Sequence, residues 1–445
     1  MPRVVVVSPP FMSHARPLSV LAGALGLQGA DVHFACAPAF EDLARQAGVG
    51  FVPLSVTRNA NTGVAEATQQ DAQEAARLRE FLDATREGAV SALLAQARHR
   101  RADMLADPDG VFDALRSIDQ ELRPDWYVVD QLSYPVTLAL HCLGLPYASF
   151  CPGHPSYVLA DADALFGVPY DWPDVLRPAA GRLRELRTAA RQNDEAFSAL
   201  FGAFARRRAP SRPAPGRAFA LSSPHAVVHA YPPFPWLPKP PQGPVRLFTG
   251  HMAADPDPLD AEWEARLRRL RGNGGRLVLV ALGTFLSARD DVLRTIVTGL
   301  LDGTRDVSVV VAAGERTAAL ADLAGDRVEV ARSVPQRALL DHVDAMVHHG
   351  GGNSFTECLR AGVPAVVLPF SSDQFSVARD AERSGAGVVL DPNALSPDEV
   401  PAALETVWAT LEPRVSALAE SVGQHGPRWA AGELLAAMGA RVSRT

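Results

Sequence analysis

The feature that most constrains this chain is its opening: Arg3-Val4-Val5-Val6-Val7-Ser8, then a stretch with leucines at helical spacing, then Asp31-Val32-His33-Phe34-Ala35-Cys36. A short run apolar on both of its faces is what a strand buried inside a parallel sheet requires. Leu18, Leu21, Ala22 and Leu25 predict a helix over about Pro17 to Gly29, so the chain begins with a βαβ unit. The same alternation predicts strands at 51–54, 126–129, 147–150 and 245–248 in the first half. In the second half it predicts them at 276–282, 307–312, 345–348, 365–369 and 387–390. The Ala-rich charged stretches at 66–122 and 180–208 read as helical, and the proline-rich stretch 211–244 as extended.

With 445 residues the chain is long enough for two cores. The expected architecture is α/β: two doubly wound parallel-sheet domains in tandem, Rossmann-like, residues 1–250 and 274–445, joined by a linker at 251–273, with the last helix able to pack back on the first domain. A formal net charge of -7 and the absence of long basic runs argue against nucleic acid or an anionic membrane as the main partner. Four cysteines without CxxC spacing read as reduced thiols, and no run has the length of a signal h-region or a membrane span. A soluble cytoplasmic protein is the expectation, monomeric or homodimeric.

Ligands of such sheets bind at the carboxyl ends of strands, so the loops that follow strands carry the chemistry. After the expected strand 345–348 comes His349-Gly350-Gly351-Gly352-Asn353-Ser354. Four readings compete: a metal site, an esterase oxyanion loop, a phosphate cradle and an ordinary turn. Adjacent His348 and His349 point to opposite sides of a strand, which weakens the metal reading. The esterase reading needs a G-x-S-x-G elbow that the chain lacks. Glycine amides and a following helix N-terminus suit a pyrophosphate. Ser354 and Glu357 equally form a capping box that needs no ligand.

The wider constellation is Val334-Pro335-Gln336, His349 to Ser354, Glu357, Gly362-Val363-Pro364, Pro369 and Asp373-Gln374. Over about forty residues it resembles the nucleotide-sugar signature of the inverting GT-B glycosyltransferases, the family of plant and bacterial natural-product enzymes. That resemblance implies a diphosphate held by His349, Gly351, Gly352, Asn353 and Ser354, ribose hydroxyls held by Glu357, and a sugar held by Asp373 and Gln374. Gly283 and Thr284 match a loop that approaches the phosphates. Where the plant branch stacks an aromatic ring on the base, this chain has Ser333, which leaves the base to Val334, Gln336 and their neighbours and leaves uridine and thymidine both open.

In the first half, Phe11-Met12-Ser13-His14-Ala15-Arg16-Pro17 is similar to the family's Gly-His-x-x-Pro loop, with Ser13 in place of glycine and Arg16 in place of the common asparagine. His14 is expected to lie just before the first helix and to act as the base that takes the acceptor proton. Asp130 ends a segment similar to the one carrying the dyad aspartate of macrolide glycosyltransferases, and it would fix the imidazole. The competing reading of Asp130 is a helix cap. Phe11, Tyr134, His154 and Tyr157 are expected on the acceptor wall. The expected function is transfer of a sugar from a UDP- or dTDP-sugar to a hydroxyl of a small molecule, with no cofactor and no metal. A non-catalytic nucleotide-sugar-binding or auxiliary protein, or a sugar-nucleotide epimerase of the same fold, are the alternatives.

Overall fold

The computed structural model of the chain describes residues 1–57, 72–239, 243–273 and 275–442. Seven strands form one parallel sheet: β1 (Arg3–Val7), β2 (Asp31–Cys36), β3 (Gly50–Pro53), β4 (Trp126–Asp130), β5 (Tyr147–Cys151), β6 (Ala226–His229) and β7 (Val245–Phe248). Six more form a second parallel sheet: β8 (Arg276–Ala281), β9 (Val307–Ala312), β10 (Val328–Ala331), β11 (Ala345–His348), β12 (Ala365–Val367) and β13 (Gly387–Val389). Their spatial orders are 3-2-1-4-5-6-7 and 10-9-8-11-12-13. Both orders reverse direction at one place, between β1 and β4 in the first sheet and between β8 and β11 in the second.

The valine run explains why β1 is central. Val4 and Val6 face a core shared with Leu18, Leu21 and Leu25 of the first helix, and Val5 and Val7 face a second core on the other side, all four fully buried. Each such side chain contributes roughly 1.5 kcal/mol or more by leaving water. A polar residue at any of the four positions would be buried on a face with no partner.

The first helix runs Met12–Leu27, starting before Pro17 rather than at it, so His14 sits inside the first turn and not in a loop ahead of it. Pro17 is the sixth residue of this helix, past the turn whose N–H groups lack an intrahelical acceptor, so it forfeits one helical bond, to the Ser13 carbonyl. Two strands were not legible in the sequence. β6 is four residues inside the proline-rich stretch, and β10 is a four-residue edge strand with Glu329 in its middle. Neither is long enough to show a period.

The stretch 251–273 is not extended throughout. Residues Ala261–Asn273 form a helix whose Leu267 and Leu270 pack on Leu277 and Leu279 of β8. The chain's last helix, Pro427–Val442, crosses back, and Ala430, Ala431, Leu434 and Met438 join the core beneath β1. Helices Ala72–Glu87, Ala89–Met104, Pro108–Leu122 and Ala180–Arg208 occupy the helical stretches expected there, the part at 66–71 lying outside the described residues. All four cysteines are buried and free. Among the described residues no helix is long and apolar enough to cross a membrane.

Candidate active site

A cleft of about 2350 Å³ lies between the carboxyl edges of the two sheets and is lined by residues of both. Its first wall is built at the switch point of the seven-stranded sheet. β1 leads into the helix bearing His14, the neighbouring β4 ends at Asp130, and His14 Nδ1 lies 2.9 Å from Asp130 Oδ2. Asp130 is fully buried and its other oxygen accepts the Leu132 N–H at 2.9 Å, whereas the His14 side chain keeps 19% of its surface exposed. The carboxylate therefore fixes the ring with its proton on Nδ1, leaving Nε2 as the basic nitrogen. Burial pulls the His14 pKa down, but the charge and hydrogen bond of Asp130, with a smaller pull from Asp373, outweigh it and raise it above the ordinary histidine value. Asp130 is thus a partner of His14 and not a cap on the helix Tyr134–Leu143, which has no side-chain cap.

The second wall uses the same switch point in the six-stranded sheet. β8 leads to Gly283 and the adjacent β11 leads to His349. The glycines here have a specific task. A Cβ on Gly283 would come within 2.6 Å of the His349 ring and one on Gly351 within 2.5 Å, so the two glycines make the slot in which the imidazole stands. Gly283 and Gly350 also have φ of +75° and +81°, where other residues are strained. Burial pushes the His349 pKa down to about 4, so this histidine is neutral at pH 7 and offers a single N–H. His348 points the other way, fully buried, with Nδ1 accepting the Gly350 N–H at 2.9 Å and its pKa driven to about 3. Thr284 lies in the short helix Gly283–Leu286; its side chain is outside what the structure describes.

The helix after the glycines runs Gly352–Ala361, with Gly351 at its N-cap and no side-chain cap, so the expected Ser354–Glu357 capping box does not form. Glu357 Oε2 instead accepts Gln336 Nε2 at 2.7 Å, and the same amide lies 3.3 Å from Ser354 Oγ. Burial raises the Glu357 pKa, opposed by Gln336 and by Arg337, Arg16 and Arg360. Ser333 and Val334 line the same end of the cleft beside Gln336.

Several residues of the two walls meet directly. Asn353 Nδ2 donates to the Ser13 carbonyl at 3.0 Å, which is the carbonyl that Pro17 leaves without its helical N–H. A Cβ on Gly352 would stand 3.3 Å from the Pro152 carbonyl, so the glycine-loop helix approaches the loop after β5 closely. Asp373 Oδ2 accepts the His154 backbone N–H at 2.8 Å, and Gln374 turns its oxygen back onto the N–H groups of Phe370 and Ser371.

Two acceptor-wall expectations are corrected. His154 is fully buried and does not line the cleft: its Nδ1 accepts the Ser156 N–H at 3.1 Å and its Nε2 meets Asp380 Oδ2 at 3.0 Å. Tyr134 is also fully buried, packed edge-on against Phe166, Phe197 and Phe219, because the first turn of its helix faces the core. Phe11 and Tyr157 do line the cleft, Phe11 edge-on to His14 and Tyr157 stacked on Phe166. The helices Ala72–Glu87 and Ala89–Met104 complete that wall with Phe81, Gln96 and Met104 among others.

Sequence reasoning did not find Gln96, whose amide brackets Ser372 with bonds of 2.7 and 3.1 Å, nor Asp380. The signal for Asp380 was present: it is a lone carboxylate on the face of Gln374–Ser384 that carries Val377 and Ala381, and an unpaired charge cannot be buried there. Arg16, the departure from the family's asparagine, projects into the cleft within Coulombic reach of Glu357 and Arg337.

Two parallel sheets facing across one cleft, with sites at both switch points, define the GT-B fold. Solved structures agree. The glycotransferase of kitacinnamycin superposes with a TM-score of 0.67 at 22% identity, over 98% of this chain and 99% of that one. Glycosyltransferase VinC in complex with dTDP superposes with a TM-score of 0.65 at 20% identity, over 98% of this chain and all of that one. In sequence, residues 299–424 match the family described as erythromycin biosynthesis protein CIII-like, C-terminal domain. A sterol 3-beta-glucosyltransferase of Sclerotinia sclerotiorum is 33% identical over 129 residues, 27% of this chain but only 9% of that relative's length. The resemblance read from the sequence is borne out in the fold: the chain is a GT-B protein, and its residues 299–424 match the erythromycin-CIII-like C-terminal family.

Proposed function

We propose that the protein is an inverting glycosyltransferase that moves a sugar from a nucleoside-diphosphate donor to a hydroxyl of a small molecule. The observation that carries the reading is the His14–Asp130 pair, 2.9 Å apart at one switch point, in the same cleft as the His349 glycine slot at the other. The named activities of the relatives and solved neighbours support it. The unit 1–250 would hold the acceptor, 274–445 the donor, and 251–273 would join them.

In the reaction, His14 Nε2 removes the acceptor hydroxyl proton as the oxygen forms its bond to the anomeric carbon. The bond from that carbon to the diphosphate oxygen breaks on the opposite face, so the configuration inverts in one step. Asp130 accepts the Nδ1–H and steadies the imidazolium. The negative charge gathering on the departing diphosphate is met by the first N–H groups of Gly352–Ala361, by Ser354 and by the neutral His349 N–H. Those groups give the step its electrostatic stabilisation without a metal. Glu357, held by Gln336, faces the ribose, and Asp373 faces the sugar. The nucleoside is uridine or thymidine; the solved VinC holds dTDP. The aglycone end is mixed in character, with Phe81, Met104 and Phe166 beside Glu80 and His99, which suits an apolar acceptor bearing a few polar groups.

Thermal shift with UDP, dTDP and GDP tests the donor half of the reading. At a hundredfold excess over Kd a bound nucleotide stabilises by about 2.7 kcal/mol. Stabilisation by UDP or dTDP is expected; stabilisation by none of the three overturns it.

A further inference from the structure

We propose that Asp380 is a positioning residue for the donor sugar: by locking His154 against the helix Gln374–Ser384, it holds the Asp373 carboxylate at its place in the cleft. This rests on the donor reading above and adds to it a residue outside the cleft.

Asp380 is fully buried and takes four donors. Oδ1 accepts Trp236 Nε1 at 2.7 Å and the Tyr170 hydroxyl; Oδ2 accepts the Tyr231 hydroxyl at 3.0 Å and faces His154 Nε2 at 3.0 Å. All four donors come from the first half of the chain, and Asp380 comes from the second. Four donors saturate the lone-pair sites of a carboxylate, so its orientation has no slack.

The His154 ring is equally constrained. Its Nδ1 accepts the Ser156 N–H, which puts the ring proton on Nε2, facing Asp380. Tyr170 stacks on the ring at 5.1 Å with an angle of 7° and Tyr231 meets it edge-on at 5.2 Å. The backbone N–H of this same residue donates to Asp373 Oδ2 at 2.8 Å. Gly153 completes the fit, since a Cβ there would lie 2.6 Å from that oxygen. One histidine therefore joins two carboxylates of one helix segment, Asp380 through its ring and Asp373 through its backbone. Asp373 Oδ2 is engaged by the protein, which leaves Oδ1 to meet a sugar hydroxyl.

If Asp380 only held the fold, its loss would weaken every ligand alike. If it positions Asp373, its loss should fall on the sugar and spare the nucleotide. Asp380→Asn keeps the shape and turns one acceptor oxygen into a donor. Isothermal titration of wild type and variant with UDP and UDP-glucose, and with dTDP and dTDP-glucose, separates the two. The expected result is nucleoside-diphosphate affinity within about twofold of wild type and sugar-nucleotide affinity lower by about tenfold or more, a difference near 1.4 kcal/mol. The acid limb of any transfer activity, set by His14, should not move. Tyr231→Phe deletes one of the four donors and keeps the ring, so it should show the same split at smaller size even where Asp380→Asn does not fold. Parallel loss of both ligands, or no loss of either, overturns the proposal. A wild type that binds none of the four overturns the donor reading itself.

Discussion

The two sheets place their chemistry at the same point and then make opposite use of histidine. His14 follows β1 and faces Asp130 at the end of the adjacent β4; His349 follows β11, beside Gly283 after the adjacent β8. Both rings are largely removed from water, which by itself lowers a histidine pKa. The His14 value is nonetheless raised, because a buried carboxylate lies 2.9 Å away, while the His349 value falls to about 4, because burial is opposed there only by a backbone hydrogen bond to Ala281. Partner chemistry, not location in the fold, divides the walls into one with a histidine of raised pKa and one with a histidine held neutral.

The sharpest way to break the comparison is to remove the base. His14→Ala should lower transfer to a hydroxyl acceptor by roughly 10²–10⁴-fold while nucleotide binding stays as in wild type. Near wild-type turnover in a nucleotide-release assay would show that proton removal does not depend on the first wall.

A smaller effect should follow from separating the ring from its carboxylate. Asp130→Asn removes the upward pull on His14 and leaves burial, so a loss in kcat of roughly 10²-fold, the low end of general-base catalysis, should come with a changed pH profile. In wild type the base must be neutral, so activity falls as pH drops through a His14 pKa raised above about 6.5, and the acid limb lies above that value. In the variant the limb should move to lower pH. An unmoved limb would assign it to another group.

The smallest effect tests the other wall. Gly351→Ala drives a methyl group into the His349 ring, and overpacking of this kind costs about 1–3 kcal/mol. Nucleoside-diphosphate affinity should fall by roughly tenfold in calorimetry, with the pH profile of transfer unchanged. Unchanged affinity would mean that the slot around His349 does not form part of the donor site.

Much of the fold was legible in sequence because central strands of parallel sheets are continuous apolar runs, and β1, β8 and β9 each advertise themselves without help from neighbours. Two do not: β6, inside the proline-rich stretch, and β10, with Glu329 in its middle, are strands because a neighbour offers them a hydrogen-bonding edge. Motif spacing sufficed to bring His14, His349 and Glu357 to one cleft with Asp130 beside His14, as the structure has them. The site was misread where direction mattered. His154 and Tyr134 carry the right chemistry for an acceptor wall, yet their backbones aim them at Asp380 and at a cluster of phenylalanines.

The sequence by itself determined the two parallel sheets, the carboxyl-edge location of the chemistry and the residue types at each switch point, because apolar periodicity and loop composition are local properties of the chain. Only the tertiary structure decided which way each ring faces, that Asn353 reaches Ser13, and that Asp380 reaches His154 across the two halves. Those contacts join residues more than 200 positions apart, where no local pattern exists to record them. A hydrogen bond formed over such a distance is fixed by packing on both sides of the cleft at once.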